Sequence, residues 1–276
     1  MTSWPRLTPA SAETVLQRSE VCPKPYIHDD GEGLSLHFTA AELQSRMKKS
    51  SPWLLDVDYT LTMMGFLLFK PAPAHIVMIG LGGGSLAKFC YRQLTASRMT
   101  VIEINPHVMA LRQAFCVPDN DSRFQVLEAD GAAFLASQNA LCDVLMIDGF
   151  DHTGQPDALC SQTFYDDCFH ALTPDGLLMV NLHYEDEDFP LWVARIERSF
   201  AGNVVEIPAA EKSNCIVFAS RGALLSPRRA NLQASLSVLD AEARVLLRPE
   251  FTRVCWAMKD LGNGDESALN QHFAAS

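Results

Sequence analysis

Residues 80–84 read Gly80-Leu81-Gly82-Gly83-Gly84, four glycines in five positions. Such a stretch turns sharply and brings backbone N–H groups close to a ligand, with Gly80, Gly82 and Gly84 as the candidate contact positions. A phosphate loop would continue with Gly-Lys-Ser/Thr, but Lys88 stands between Ala87 and Phe89, which disfavours nucleoside triphosphates. A dinucleotide fingerprint wants Gly or Ala where Ser85 stands. Glu103, 19 residues after Gly84, can accept both ribose hydroxyls of a nucleoside. Asp130 can accept from an adenine amino group while the Gly131 N–H meets a ring nitrogen; Asp130 also reads as a helix N-cap, and the two roles coexist. An acid at 103 followed by Asp-Gly at 130 favours an adenosyl nucleoside without pyrophosphate over NAD.

Two further groups of acids follow. Asp148-Gly149-Phe150-Asp151 carries a pair of carboxylates at the end of an apolar segment. His183-Tyr184 is followed by Glu185-Asp186-Glu187-Asp188, four acids in a row that make either a local negative well or a solvated loop with Asp188 capping the next helix.

These residues need a frame. Apolar segments at His75–Ile79, Met99–Ile104, Phe124–Leu127, Val144–Ile147 and Leu177–Leu182 read as strands. Helical stripes separate them at Ser85–Thr95, from Asn105-Pro106 through Phe115, after Asp130, and at Ser161–Leu172. Leu191–Phe200 is helical, and Asn203–Ile207 and Cys215–Ala219 are strands with no helix between them. Alternation of this kind gives an α/β fold with a parallel sheet covered on both faces, and the closing strand pair adds an antiparallel edge. That pattern favours the seven-stranded Rossmann-like sheet of class I adenosylmethionine-dependent methyltransferases. In an open α/β sheet, ligands sit beyond the carboxyl ends of the strands, where all the acids above would converge.

The expected organisation is an N-terminal region (1–70), an adenosyl-nucleoside-binding domain (71–220) and a C-terminal helical extension (221–276). The first contains a β-hairpin, Pro25–His28 and Leu34–Phe38 around Asp29-Asp30-Gly31-Glu32-Gly33, then a helix Asp58–Lys70 ended by Pro71 and Pro73. The last reads as helices Pro227–Leu247 and Phe251–Leu261.

Composition narrows the function classes. Lys plus Arg is 22 against 33 Asp plus Glu, a formal net charge of −11, which argues against nucleic-acid or membrane-surface partners. No apolar run approaches the roughly 20 residues of a membrane span. The N-terminal residues lack the apolar core of a secretory signal. The eight cysteines are scattered, with no CxxC and no zinc spacing, so no metal is expected and free thiols in a reducing cytoplasm are.

Across Leu34 to Leu182 the chain resembles the spermidine synthase family, the polyamine aminopropyltransferases. The family's hairpin segment ending in Gln is similar to Leu34–Gln44, its Tyr to Tyr59, and its Gly-Gly-Gly-Asp-Gly-Gly loop to Gly80–Ser85. Its Val-Glu-Ile-Asp resembles Ile102-Glu103-Ile104-Asn105, its Asp-Gly matches Asp130-Gly131, its Asp-x-x-Asp matches Asp148 and Asp151, and its Phe-Tyr matches Phe164-Tyr165. The chain departs from the pattern at Gly83 (family Asp, which contacts the amine end of the donor), at Thr60-Leu61 (His-Glu) and at His152 (Pro). The Tyr-Pro-rich gate is not evident around Pro208–Asn214.

The resemblance implies aminopropyl transfer from decarboxylated S-adenosylmethionine to a small amine. Gln44 joins the donor site; Asp148 is the proton acceptor, Asp151 holds the cationic portion of the substrate, Tyr59 orients the nitrogen and Glu185 meets the distal amine. The loss of acid at 83 leaves S-adenosylmethionine itself as an alternative donor for methyl transfer to a small molecule, and a non-catalytic adenosyl-nucleoside-binding protein as a third reading. The family's dimers and tetramers imply a homo-oligomer.

Overall fold

The computed structural model describes residues 22–39, 43–150, 154–210 and 213–262. Near the N-terminus, strands β1 (Tyr26–Asp29), β2 (Gly33–His37) and β3 (Leu43–Lys48) form an antiparallel sheet in sequence order. The turn between β1 and β2 is built by its acids: Asp29 accepts from the Gly31 N–H, and Asp30 from those of Glu32 and Gly33. The expected hairpin is thus present and is extended by a third strand. β3 escaped the sequence reading because Gln44, Ser45, Arg46 and Lys48 give it no apolar alternation. Ser45 and Met47 nevertheless face inward.

The main sheet contains β4 (His75–Ile79), β5 (Arg98–Glu103), β6 (Phe124–Glu128), β7 (Cys142–Ile147), β8 (Leu172–His183), β9 (Val204–Pro208) and β10 (Asn214–Ser220). Their order is β6-β5-β4-β7-β8-β10-β9. β4 to β8 pair in parallel, and β10 is antiparallel to both β8 and β9. Period-two alternation assigns the strands to two cores. Ile76, Met78, Val101, Val144 and Met146 face one, whereas Val77, Ile79, Ile102, Leu145 and Ile147 face the other.

The first core is covered by α1 (Asp58–Met63), which tightens into a 3-10 turn over Met64–Leu68, by α2 (Ser85–Gln93) and α3 (Pro106–Ala110), and by α7 (Leu232–Ser237) and α8 (Ala241–Gly262). The second is covered by α4 (Gly131–Leu135), α5 (Gln162–Ala171) and α6 (Phe189–Ser199). Asn105, Asp130 and Ser161 cap α3, α4 and α5 through their side chains.

Several expected boundaries shift. α3 stops at Ala110 rather than Phe115. Asp188 precedes α6 but makes no side-chain cap. The C-terminal break expected near Pro249 does not occur, because α8 runs through it. Ala243, Leu247, Phe251, Val254 and Met258 fall on one stripe of α8 and enter the first core, and that burial outweighs the lost hydrogen bond at Pro249. α8 is also tied to α1: Glu250 accepts from the Thr62 hydroxyl at 2.5 Å and from Arg253. No helix among the described residues is long and apolar enough to cross a membrane.

Candidate active site

The chain reverses direction across the sheet between β4 and β7, so the loops after these two strands part and leave a crevice. A cavity of about 780 Å³ opens there. The end of β4 is tied to both neighbouring strands: the Asp148 N–H, after β7, donates to the Ile79 carbonyl at 2.9 Å, and the Gly80 N–H donates to the Ile102 carbonyl of β5 at 2.8 Å. Gly80 has φ +93°, and a Cβ there would lie 2.2 Å from the Asp148 carbonyl oxygen, so only glycine fits.

Three N–H groups of the glycine loop are taken within the protein, Gly80 by the Ile102 carbonyl, Gly84 by the Leu81 carbonyl and Leu81 by Glu103. Glu103, buried at the end of β5, accepts from the Leu81 N–H through Oε2 and from the Asn105 N–H through Oε1, both at 2.8 Å. Burial raises its pKa, while N–H groups of Asn105, Leu81, Ile104 and Gly82 act in the opposite direction. Each carboxylate oxygen has a second lone pair, so acceptor capacity remains toward the cavity. A phosphate would find a carboxylate where it needs bare N–H donors.

On the other side of β4, Asp148 lies in a polar chain that the sequence reading did not foresee in full. Its Oδ2 accepts from the Tyr59 hydroxyl at 3.1 Å and its Oδ1 from Asn181 Nδ2 at 2.9 Å. Asn181 Oδ1 in turn accepts from Asn214 Nδ2 at 2.9 Å. Four elements therefore fix one carboxylate: α1, the end of β7, β8 and β10. Burial raises the pKa of Asp148, opposed by the hydrogen bonds from Asn181 and Tyr59. Burial and the neighbouring Asp148 charge raise that of Tyr59, which stays a phenol.

Of the residues singled out in the sequence, Gln44, Tyr59, Gly80, Gly82, Glu103, Asp130, Gly131 and Asp148 all line this one cavity. Gly84 sits behind the loop as the N-cap of α2, with φ +70°. Glu185 is exposed and outside the lining, and its neighbour Asp186 faces the cavity instead. Asp151 lies outside the described residues. Missed altogether were Asn181, Asn214, Asp58 and Gln155, which join no motif and meet the site only through the fold. Five carboxylates, those of Asp58, Glu103, Asp130, Asp148 and Asp186, line the cavity, with no Lys or Arg among its described residues. No three His, Cys, Asp or Glu side chains among the described residues gather as a metal site, and all eight cysteines are free thiols.

The departure at Gly83 has a packing counterpart. A Cβ at Gly83 would lie 2.6 Å from Ser45 Oγ and 3.0 Å from Phe115 Cδ1. Ser45 and Ser85 fill this corner, their hydroxyls 3.3 Å apart.

Residues 58–191 match the family model of the spermine/spermidine synthase domain. A polyamine aminopropyltransferase of Chromobacterium violaceum is 37% identical over 203 residues, 73% of this chain and 78% of that protein. Among solved structures, a probable spermidine synthase from Corynebacterium glutamicum superposes with a TM-score of 0.66 at 19% identity, over 78% of this chain and 82% of that one. Human methyltransferase-like protein 13, solved in complex with SAH, gives 0.56 at 22% identity over 72% and 93% of the two chains. At these identities the two structures speak for the fold, and the curated relative speaks for the family: the chain belongs to the spermine/spermidine synthase family of transferases.

Proposed function

We propose that the chain transfers an aminopropyl group from decarboxylated S-adenosylmethionine to a small amine such as a diamine. The observation that carries this reading is electrostatic. A cleft with five carboxylates and no lysine or arginine among its described residues favours cationic ligands, and both reactants here are cations: a sulfonium donor and an amine. The named relatives support it independently.

The adenosyl end of the donor is assigned to Glu103, through its spare acceptor sites for the ribose, and to Asp130 and Gly131 for the base, with Gln44 alongside. The reaction is displacement at carbon. The amine lone pair forms the new C–N bond as the C–S bond breaks, the electron pair leaves on sulfur, and methylthioadenosine departs. Sulfonium is already a good leaving group, so the protein has two tasks: alignment and a neutral nucleophile. A free alkylamine, with a pKa of about 10.4, is mostly protonated at neutral pH. Asp148 accepts that proton or the hydrogen bond of the attacking nitrogen. Tyr59 and Asn181 hold its two oxygens from opposite sides, which fixes where the nitrogen approaches. Asp186 replaces Glu185 as the residue facing the cavity from the acidic loop and is assigned the distal cation.

A second reading, methyl transfer from S-adenosylmethionine, is supported by the corner at Gly83, where Ser45 stands close to the space an acid would need to hold the donor amine. Calorimetry with the two donors separates them. Tighter binding of the decarboxylated form supports aminopropyl transfer, and preference for the carboxylated form with release of S-adenosylhomocysteine overturns it. The same reading takes the chain to act in the cytoplasm as a homo-oligomer.

A further inference from the structure

Gln155 follows β7 in the loop that leads to a 3-10 turn at Asp157–Leu159, and it lines the cavity. Both atoms of its amide, Oε1 and Nε2, are buried and have no hydrogen-bond partner among the described residues. A buried amide left unpaired at both ends is costly, so such an amide on a residue that lines a ligand cavity marks a group the ligand completes. The place is the base end of the site. The 3-10 turn packs against α4, whose N-cap is Asp130, and Leu159 lies against Gly149, where a Cβ would come within 2.7 Å of Leu159 Cδ1.

The chemistry of the missing partner follows from the pair itself. An ammonium group would satisfy the oxygen and leave the NH₂ unpaired; a carboxylate would do the reverse. A 6-aminopurine presents a donor and an acceptor side by side, N6–H and N7, which is the pairing a glutamine amide makes with adenine. Asp130 and the Gly131 N–H are assigned to the opposite edge, so the two readers do not compete.

Building on the adenosyl reading above, we propose that Gln155 is a specificity-determining residue for the donor, its amide oxygen accepting from the 6-amino group and its amide nitrogen donating to N7 of the purine.

The test is calorimetry of methylthioadenosine and its 7-deaza analogue, in which N7 is replaced by CH, on the wild-type chain, Gln155→Leu and Gln155→Glu. The wild type is expected to bind the 7-deaza compound about tenfold more weakly. Both variants lose that preference, Leu because it has no donor and Glu because its carboxylate cannot donate to N7. If Gln155→Leu does not fold, Gln155→Glu, of nearly equal volume, carries the comparison. A wild type indifferent to N7, or a variant that keeps the tenfold preference, overturns the assignment of Gln155 while leaving the adenosyl reading intact. A wild type that binds neither nucleoside overturns the adenosyl reading and the inference with it.

Discussion

Asp148→Asn separates charge from shape. The asparagine keeps Oδ1 as acceptor for Asn181 and turns its NH₂ toward the Tyr59 oxygen, which accepts in place of donating, so both contacts of the native carboxylate survive. What disappears is the negative charge and the capacity to take a proton from the attacking nitrogen. A positioned general base contributes about 10²–10⁴ in rate, so kcat falls by that factor, or about 3–5.5 kcal/mol of barrier. Donor affinity, set at Glu103 and Asp130 on the other side of β4, changes by less than about threefold on the same reasoning. Stability moves the other way. Burial raises the folded-state pKa of Asp148 above its ordinary 3.8, so its contribution is fully present below that value and is lost as pH rises through the raised one. The melting temperature of Asp148→Asn relative to wild type therefore climbs as the pH rises from the ordinary carboxylate value through the raised value of Asp148. The assay is steady-state product formation at saturating donor, with calorimetry for donor affinity and thermal melts across pH. A variant that retains kcat within about threefold refutes the role given to Asp148, and a collapse of donor affinity in step with kcat makes it a binding residue instead.

Three smaller perturbations follow from the same geometry. Tyr59→Phe removes the hydroxyl that holds Asp148 Oδ2 and lowers kcat about tenfold, with donor affinity retained by calorimetry; unchanged turnover would detach Tyr59 from the mechanism. Gly83→Ala puts a methyl against Ser45 and Phe115 and costs about 1–3 kcal/mol in urea unfolding, and Ser45→Gly in the same chain recovers most of it. Glu103→Gln turns an NH₂ toward a backbone N–H at Leu81 or Asn105, which costs about 1–3 kcal/mol and weakens methylthioadenosine binding; equal affinity would place the ribose elsewhere.

Local chemistry explains which parts of this molecule could be read from its residues. The caps at Asn105 and Asp130 and the pairing of the last two strands each depend on neighbours in sequence, and each took the form expected, except that the antiparallel strand, β10, lies one place in from the sheet edge. β3 was hidden because a strand on a small sheet needs only two buried positions, Ser45 and Met47, and a serine gives no apolar signal. Pro249 misled because local propensity argues for a break, whereas five buried side chains spread along α8 decide otherwise. The site divides along the same line. Glu103, Asp130 and Asp148 stand at strand ends, where the fold class alone predicts a ligand. Asn181 and Asn214 lie 33 residues apart on antiparallel strands, and only the pairing of β8 with β10 brings their amides together. The acidic run at 185–188 shows that something faces the cleft, but which residue does so depends on the turn, which exposes Glu185 and presents Asp186.

The central claim is that this cleft aligns an adenosyl sulfonium with an amine and takes the proton of that amine on Asp148. Purified protein incubated with decarboxylated S-adenosylmethionine and putrescine, followed by mass spectrometry, tests it most directly. The account predicts methylthioadenosine and an aminopropylated amine in equal amounts, both greatly reduced in Asp148→Asn. Release of S-adenosylhomocysteine from S-adenosylmethionine with no aminopropylated product, or no turnover of either donor, would contradict it.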